Sequence, residues 1–144
     1  MDSKLINFLR NTLRRASYRW KTRGEAEKRF RRPMGTYKNG RVKYGYACAE
    51  CDVIGQKKDR QLDHIHPVIG PEGFQTLDKM AERMYCPQEN WAMLCYPHHL
   101  AKTKTETEGR KLYRHANEEQ RKELVRLAWE REELLIEKYR KKYP

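Results

Sequence analysis

No stretch of this chain is apolar enough to serve as a membrane span or an export signal. The start, Met1-Asp2-Ser3-Lys4-Leu5-Ile6-Asn7-Phe8-Leu9-Arg10, is polar and its apolar run is short. The expectation is a soluble protein that stays in the compartment where it is made, the cytoplasm. Internal repeats and low-complexity segments are also missing, which excludes a repeat architecture. Acidic residues are scarce at one end only. Residues 1–47 hold three of them against 14 basic residues, residues 48–105 hold eight against seven, and residues 106–144 hold nine against 11. Almost all of the formal +12 therefore sits in the N-terminal third. A basic segment of that density condenses on a polyanion, and nucleic acid fits better than acidic lipid because the first helix lacks a long apolar face. Cysteines number only four. In a reducing compartment such thiols serve as metal ligands or packing groups rather than as disulfides.

What is present fits one domain with a modest core and charged appendages: 144 residues, 38% hydrophobic and 36% charged. Leu5, Phe8 or Leu9, Leu13, Ala16 and Trp20 recur three to four apart between arginines, so residues 4–20 are expected to form an amphipathic helix. A second helix is expected over Glu25–Arg32, ending before Pro33. Turn residues fill Met34 to Gly40, and Arg41 to Tyr46 alternates as a short strand does. Two further strands are expected near Gln61–His66 and Trp91–Cys95, with a helix near Phe74–Met84 between them. A helix from about His98 and a long one after the N-cap Asn117 complete the chain, the last with Leu124, Leu127, Leu134 and Tyr139 on one face. The organisation read from this is a basic helical DNA-binding arm (1–47), a core (48–105) and a C-terminal helical extension (106–144).

Cys48-Ala49-Glu50-Cys51 is a C-x2-C knuckle and Cys95-Tyr96-Pro97-His98 a C-x2-H knuckle downstream. Zinc takes four tetrahedral nitrogen or sulfur ligands, and a two-residue spacer lets each pair wrap one side of the ion. One such knuckle also occurs in redox pairs and buried thiols, but two matched ones point to a structural zinc. Cys86 competes for the fourth position without a partner at knuckle spacing, and is expected to pack as a small hydrophobe. Between and around the knuckles stand Asp63-His64-Ile65-His66-Pro67, Glu89-Asn90, and His99-Leu100-Ala101-Lys102-Thr103. On a strand, Asp63 and His64 point to opposite faces, so a metal ligand and a base can act from adjacent positions.

This string resembles the HNH endonuclease motif: C-x2-C, D-H-I-x-P, E-N, then L-C-x2-(C/H)-H-x2-K-T. The resemblance covers about residues 48–103, and the arginine-rich lead-in resembles that of small free-standing HNH proteins encoded by phages. His98 stands where many relatives have a fourth cysteine, a swap that zinc accepts and that makes the site more acid-sensitive. The resemblance implies an α+β fold with a small ββα-metal (His-Me finger) core, flanked by the basic helices and the long C-terminal helix. It implies a metal-dependent hydrolase that cuts DNA phosphodiester bonds. His64 would be the general base, Asp63 and His99 would hold one Mg²⁺ or Mn²⁺, and Asn90 would tie the loop that orients the base. For a phage-encoded protein the cytoplasm is that of the host cell.

Several residues have second readings. His66 is an ordinary buried or surface histidine unless its nearness to His64 brings it to phosphate. Lys102 either contacts phosphate or is solvated. The local excess of charge favours phosphate contacts by Arg14, Arg15, Arg19 and Arg23 over a merely solvated helix face. Tyr18, Trp20 and Trp91 are expected in the core rather than as base-stacking platforms. The rival function is a zinc-ribbon accessory that binds nucleic acid without cutting it, which needs neither the Asp63-His64 pair nor His99. Partners other than DNA stay open: the C-terminal helix can pack on its own core, on a second copy, or on a larger phage protein machine.

Overall fold

The computed structural model describes residues 1–144 as a mixed α+β chain of five helices and two small antiparallel sheets. In order, α1 (Ser3–Ser17) and α2 (Lys21–Arg29) lead into β1 (Arg31–Thr36), β2 (Val42–Ala47) and β3 (Ile54–Gly55). Then come β4 (Arg60–His64), α3 (Leu77–Met84), β5 (Trp91–Cys95), α4 (Tyr96–His115) and α5 (Glu118–Lys142). The first sheet runs β1-β2-β3, and the second pairs β4 with β5 in the register Arg60↔Cys95 to His64↔Trp91. No helix is long and apolar enough to cross a membrane.

The second helix lies earlier than its sequence pattern indicates, over 21–29, and Pro33 stands within β1 instead of after a helix. β1 is an edge strand, where a residue without an N–H is tolerated, and a register irregularity between Pro33 and Thr36 is taken up at Gly35 with φ +127°. The Asn39-Gly40 turn forms as expected: Gly40 adopts φ +83° and its N–H donates to Tyr37 O at 3.0 Å.

One core joins distant parts of the sequence. Phe30, Ala47, Cys48, Ile65, Met93 and Leu94 pack with Tyr139 and Tyr143, so the core crosses both expected boundaries, and residue 105 lies inside α4. Arg29 fastens the same seam, donating to Gln88 O at 2.8 Å and Tyr143 O at 3.0 Å. A satellite cluster of Ala26, Cys86 and Trp91 seats α2 on β5.

α5 opens with a reciprocal capping box, the Asn117 side chain accepting from Gln120 N at 2.9 Å and Gln120 Oε1 from Asn117 N at 3.0 Å. Its buried face runs through Ala128, Glu132 and Tyr139, with Leu135 and Ile136 beside it. Leu127 and Leu134, expected on that face, are 49% and 69% exposed. The tyrosine anchors, rather than the leucine count, set the rotation of the helix. In α1 the inner position of the expected pair is Leu9, half-buried, and not the exposed Phe8; Tyr85 Oη donates to Leu13 O at 2.8 Å and the Arg10 guanidinium covers Phe74 at 4.5 Å.

Candidate functional site

The two knuckles meet. Cys48 follows β2, Cys95 ends β5 and His98 lies in the first turn of α4, and with Cys51 their ligand atoms all fall within 4.8 Å of one another. His98 Nδ1 is 3.1 Å from Cys95 Sγ and 3.6 Å from Cys48 Sγ, and Cys51 Sγ is 4.0 Å from Cys95 Sγ. Tetrahedral zinc with legs of about 2.0 to 2.3 Å separates its ligands by roughly 3.5 to 3.8 Å, so this Cys3His set can hold such an ion. Burial pushes the Cys48 thiol up, but backbone hydrogen bonds from Cys95, Cys51 and Glu50 outweigh it and bring the pKa down to about 6. That favours the thiolate, the form a metal binds. Cys86 takes no part in the cluster and packs against Ala26 and Trp91.

A cleft of about 550 Å³ opens beside this frame, lined by Asp63 and His64 of β4 and by His99 of α4, with Arg14, Arg23 and Arg110 on its walls. Asp63 Oδ1 accepts from the His64 backbone N–H at 2.9 Å. Its Oδ2 lies 3.3 Å from His99 Nδ1 and 3.4 Å from Lys102 Nζ. His99 Nδ1 is nevertheless buried without a hydrogen-bond partner, because its neighbour is not aligned to accept. An unsatisfied buried nitrogen costs about 1–3 kcal/mol. A cation shared with the Asp63 carboxylate is one way to satisfy it, so the donor set fits a hard divalent ion with one imidazole ligand.

His64 is held from both sides. Its ring lies 3.8 Å from that of Trp91, and Nε2 is 3.0 Å from Met84 O. A carbonyl only accepts, which places the proton on Nε2 and leaves the lone pair on Nδ1. Burial holds its pKa below the ordinary histidine value, so the ring is neutral at pH 7. Asn90, buried just before β5, accepts from His66 N through Oδ1 and from Ile65 N through its carbonyl, both at 2.8 Å. It thereby ties down the segment leaving β4.

His66 itself faces away from the cleft, toward α5. Its Nδ1 is 2.8 Å from Glu132 and its Nε2 2.7 Å from Glu133, and the ring stacks on Trp129 at 3.8 Å. Burial opposes its protonation, but the two carboxylates prevail and raise its pKa. Lys102 is bound to Asp63 and Glu106 and is not free in solvent. Of the four arginines expected at phosphate, Arg14 and Arg23 reach the cleft while Arg15 and Arg19 stay outside its lining. Trp91 is buried, whereas Tyr18 and Trp20 are 67% and 43% exposed, contrary to their expected place in the core. Tyr18 lines the cleft under the Arg23 guanidinium, 4.8 Å from its ring.

Arg110 and Glu106 are cleft residues that no motif marks. Only the length of α4 could have disclosed them, because Glu106 lies seven and Arg110 eleven positions beyond His99, on its face two and three helical turns along. Scans against protein-family models, curated proteins and solved structures return no match to this chain.

Proposed function

We propose that the protein is a metal-dependent DNA endonuclease of the HNH type, with β4, β5 and α4 forming a ββα-metal core and a structural zinc held by Cys48, Cys51, Cys95 and His98. The observation that carries this reading is the convergence of a carboxylate, a neutral imidazole and an unpartnered imidazole nitrogen in one arginine-walled cleft. A zinc ribbon that only binds nucleic acid needs none of the three.

In this reading Asp63 and His99 hold one Mg²⁺ or Mn²⁺, which when bound stabilises charge developing at the scissile phosphate and leaving oxygen. His64, locked by Met84 O as the Nε2–H tautomer, takes the proton of the attacking water at Nδ1. Arg14, Arg23 and Arg110 bind and orient the phosphates flanking the cut. Asn90 is a positioning residue: by tying Ile65 and His66 it fixes the end of β4, and with it the ring of His64. The rings of Trp91 and His64 pack together on the same wall, and the Met84 carbonyl covers the proton-bearing nitrogen.

Supercoiled plasmid incubated with the purified, zinc-loaded protein and magnesium is expected to become nicked or linear. Retarded plasmid that stays supercoiled under manganese as well as magnesium would establish the zinc-ribbon binder instead.

A further inference from the structure

The β1–β2 hairpin is a ribbon with almost no body beneath it. β3 pairs with β2 only at Tyr46 and Ala47, so from Arg32 to Gly45 the two strands have each other as their sole sheet partners. Two-stranded ribbons are marginally stable alone, and one that projects from a core needs a reason to stay polar and extended.

Its chemistry is one-sided. No acidic residue occurs between Lys28 and Ala49, while Arg31, Arg32, Lys38, Arg41 and Lys43 are all within it. None of these five takes part in a salt bridge. On α5 the basic side chains Lys122, Arg126, Lys138, Lys141 and Lys142 are each paired with a carboxylate. Five of the eight basic residues of α5 are thus paired, against none of the five on the ribbon. Pairing puts Pro33 beside Tyr44 and Thr36 beside Val42, and Tyr37, Val42 and Tyr44 are 55%, 45% and 46% exposed. The Arg31 guanidinium lies 3.8 Å over the Tyr44 ring, which holds both side chains flat along that outer surface.

We propose that this ribbon is a second nucleic-acid surface, separate from the cleft, and that it lies in the major groove of duplex DNA with the tip residues Lys38 and Arg41 and with Lys43 on phosphates. A B-form major groove admits a two-stranded ribbon, whereas the deep, narrow major groove of an RNA duplex does not. Charge complementarity supplies the affinity, and Tyr37 and Tyr44 supply flat contacts along the groove wall. The inference rests on the reading of the protein as one that acts on DNA, but not on its cutting it.

The test is equilibrium binding of the full chain without divalent cation, by fluorescence anisotropy over a range of salt. The wild type is compared with the triple variant Lys38→Ala, Arg41→Ala, Lys43→Ala on a DNA duplex, the matching RNA duplex and the single strand. Loss of three phosphate contacts is expected to lower the DNA duplex salt slope by about 2.7 and the affinity at least ~10-fold at low salt. RNA duplex binding should hardly change. An unchanged DNA slope in a variant with wild-type zinc content and melting temperature overturns the proposal. So does a loss confined to the single strand or equal on the RNA duplex. The variant Tyr37→Ala, Tyr44→Ala leaves every charge in place, and its slope should match the wild type while affinity falls. Plasmid nicking measured in parallel keeps the two readings apart, since a ribbon-dependent binder that never nicks supports the ribbon and sinks the nuclease.

Discussion

His64 is the residue on which the proposed chemistry turns. Its alanine variant should lose nicking activity by ~10²- to 10⁴-fold while keeping zinc, fold and DNA affinity, because a general base contributes about that much. The other two nearby imidazoles are engaged elsewhere: His99 lies against Asp63, and His66 is enclosed by Trp129, Glu132 and Glu133. A folded, zinc-loaded His64→Ala protein that nicks at the wild-type rate would show the base is wrongly assigned. The knuckles predict a contrast between two buried thiols. Cys48→Ser should lose bound zinc and cooperative melting together, since a site of this kind couples metal binding to folding. Cys86→Ser should retain both, because its sulfur sits with Ala26 and Trp91 away from the cluster. Elemental analysis of the two purified variants checks this, and equal zinc in both would mean that Cys48 is not a ligand.

Among the elements, α5 is attached to the loop after β4 by a charged clamp. His66 has a raised pKa, so its contribution to stability is complete below the unfolded value of about 6.5 and is lost as pH rises through the folded value above it. The melting temperature should therefore fall between roughly pH 6.5 and the alkaline side of that folded pKa. In Glu132→Gln, which keeps the shape of a buried side chain but removes its charge, the fall should shrink. An identical pH profile in that variant would assign the dependence to another group. None of this clamp was legible in the chain, because His66 and Glu132 are joined only by the packing of α5, and a helical pattern does not reveal its partner. The knuckles were legible for the opposite reason. Their spacing is a local constraint of metal geometry, whereas the burial of Ala128 beside the expected Tyr139, with Leu127 and Leu134 left outside, was decided by tertiary contact. Pro33 misled similarly: it ends helices, yet at this edge strand its missing N–H costs nothing.

At the scale of the whole molecule, the basic lead-in is two things. α1 carries Lys4, Arg10, Arg14 and Arg15 and buries only Ser17 fully. Removing residues 1–17 should leave a folded protein whose DNA affinity is weaker and less salt-dependent. Removing residues 1–32 takes away Phe30, fully buried against Tyr143, and the Arg29 seam. A buried Phe is worth about 3–5 kcal/mol on truncation to Ala, a large part of the roughly 5–15 kcal/mol of a small domain, so this longer deletion should unfold. Thermal melting of the two truncations separates them, and a cooperative transition in the longer one would mean the core closes without Phe30. The same seam has a temporal side. Tyr139 and Tyr143 cover Cys48 and Ala49 from a helix made long after both knuckles. During synthesis at about 5–20 residues per second, the nascent chain must wait on the order of seconds with its knuckles translated and its lid missing. Over that interval the half-made core exposes the apolar surface around Cys48 and Ala49 to proteases, and it closes only when the last turn of α5 docks.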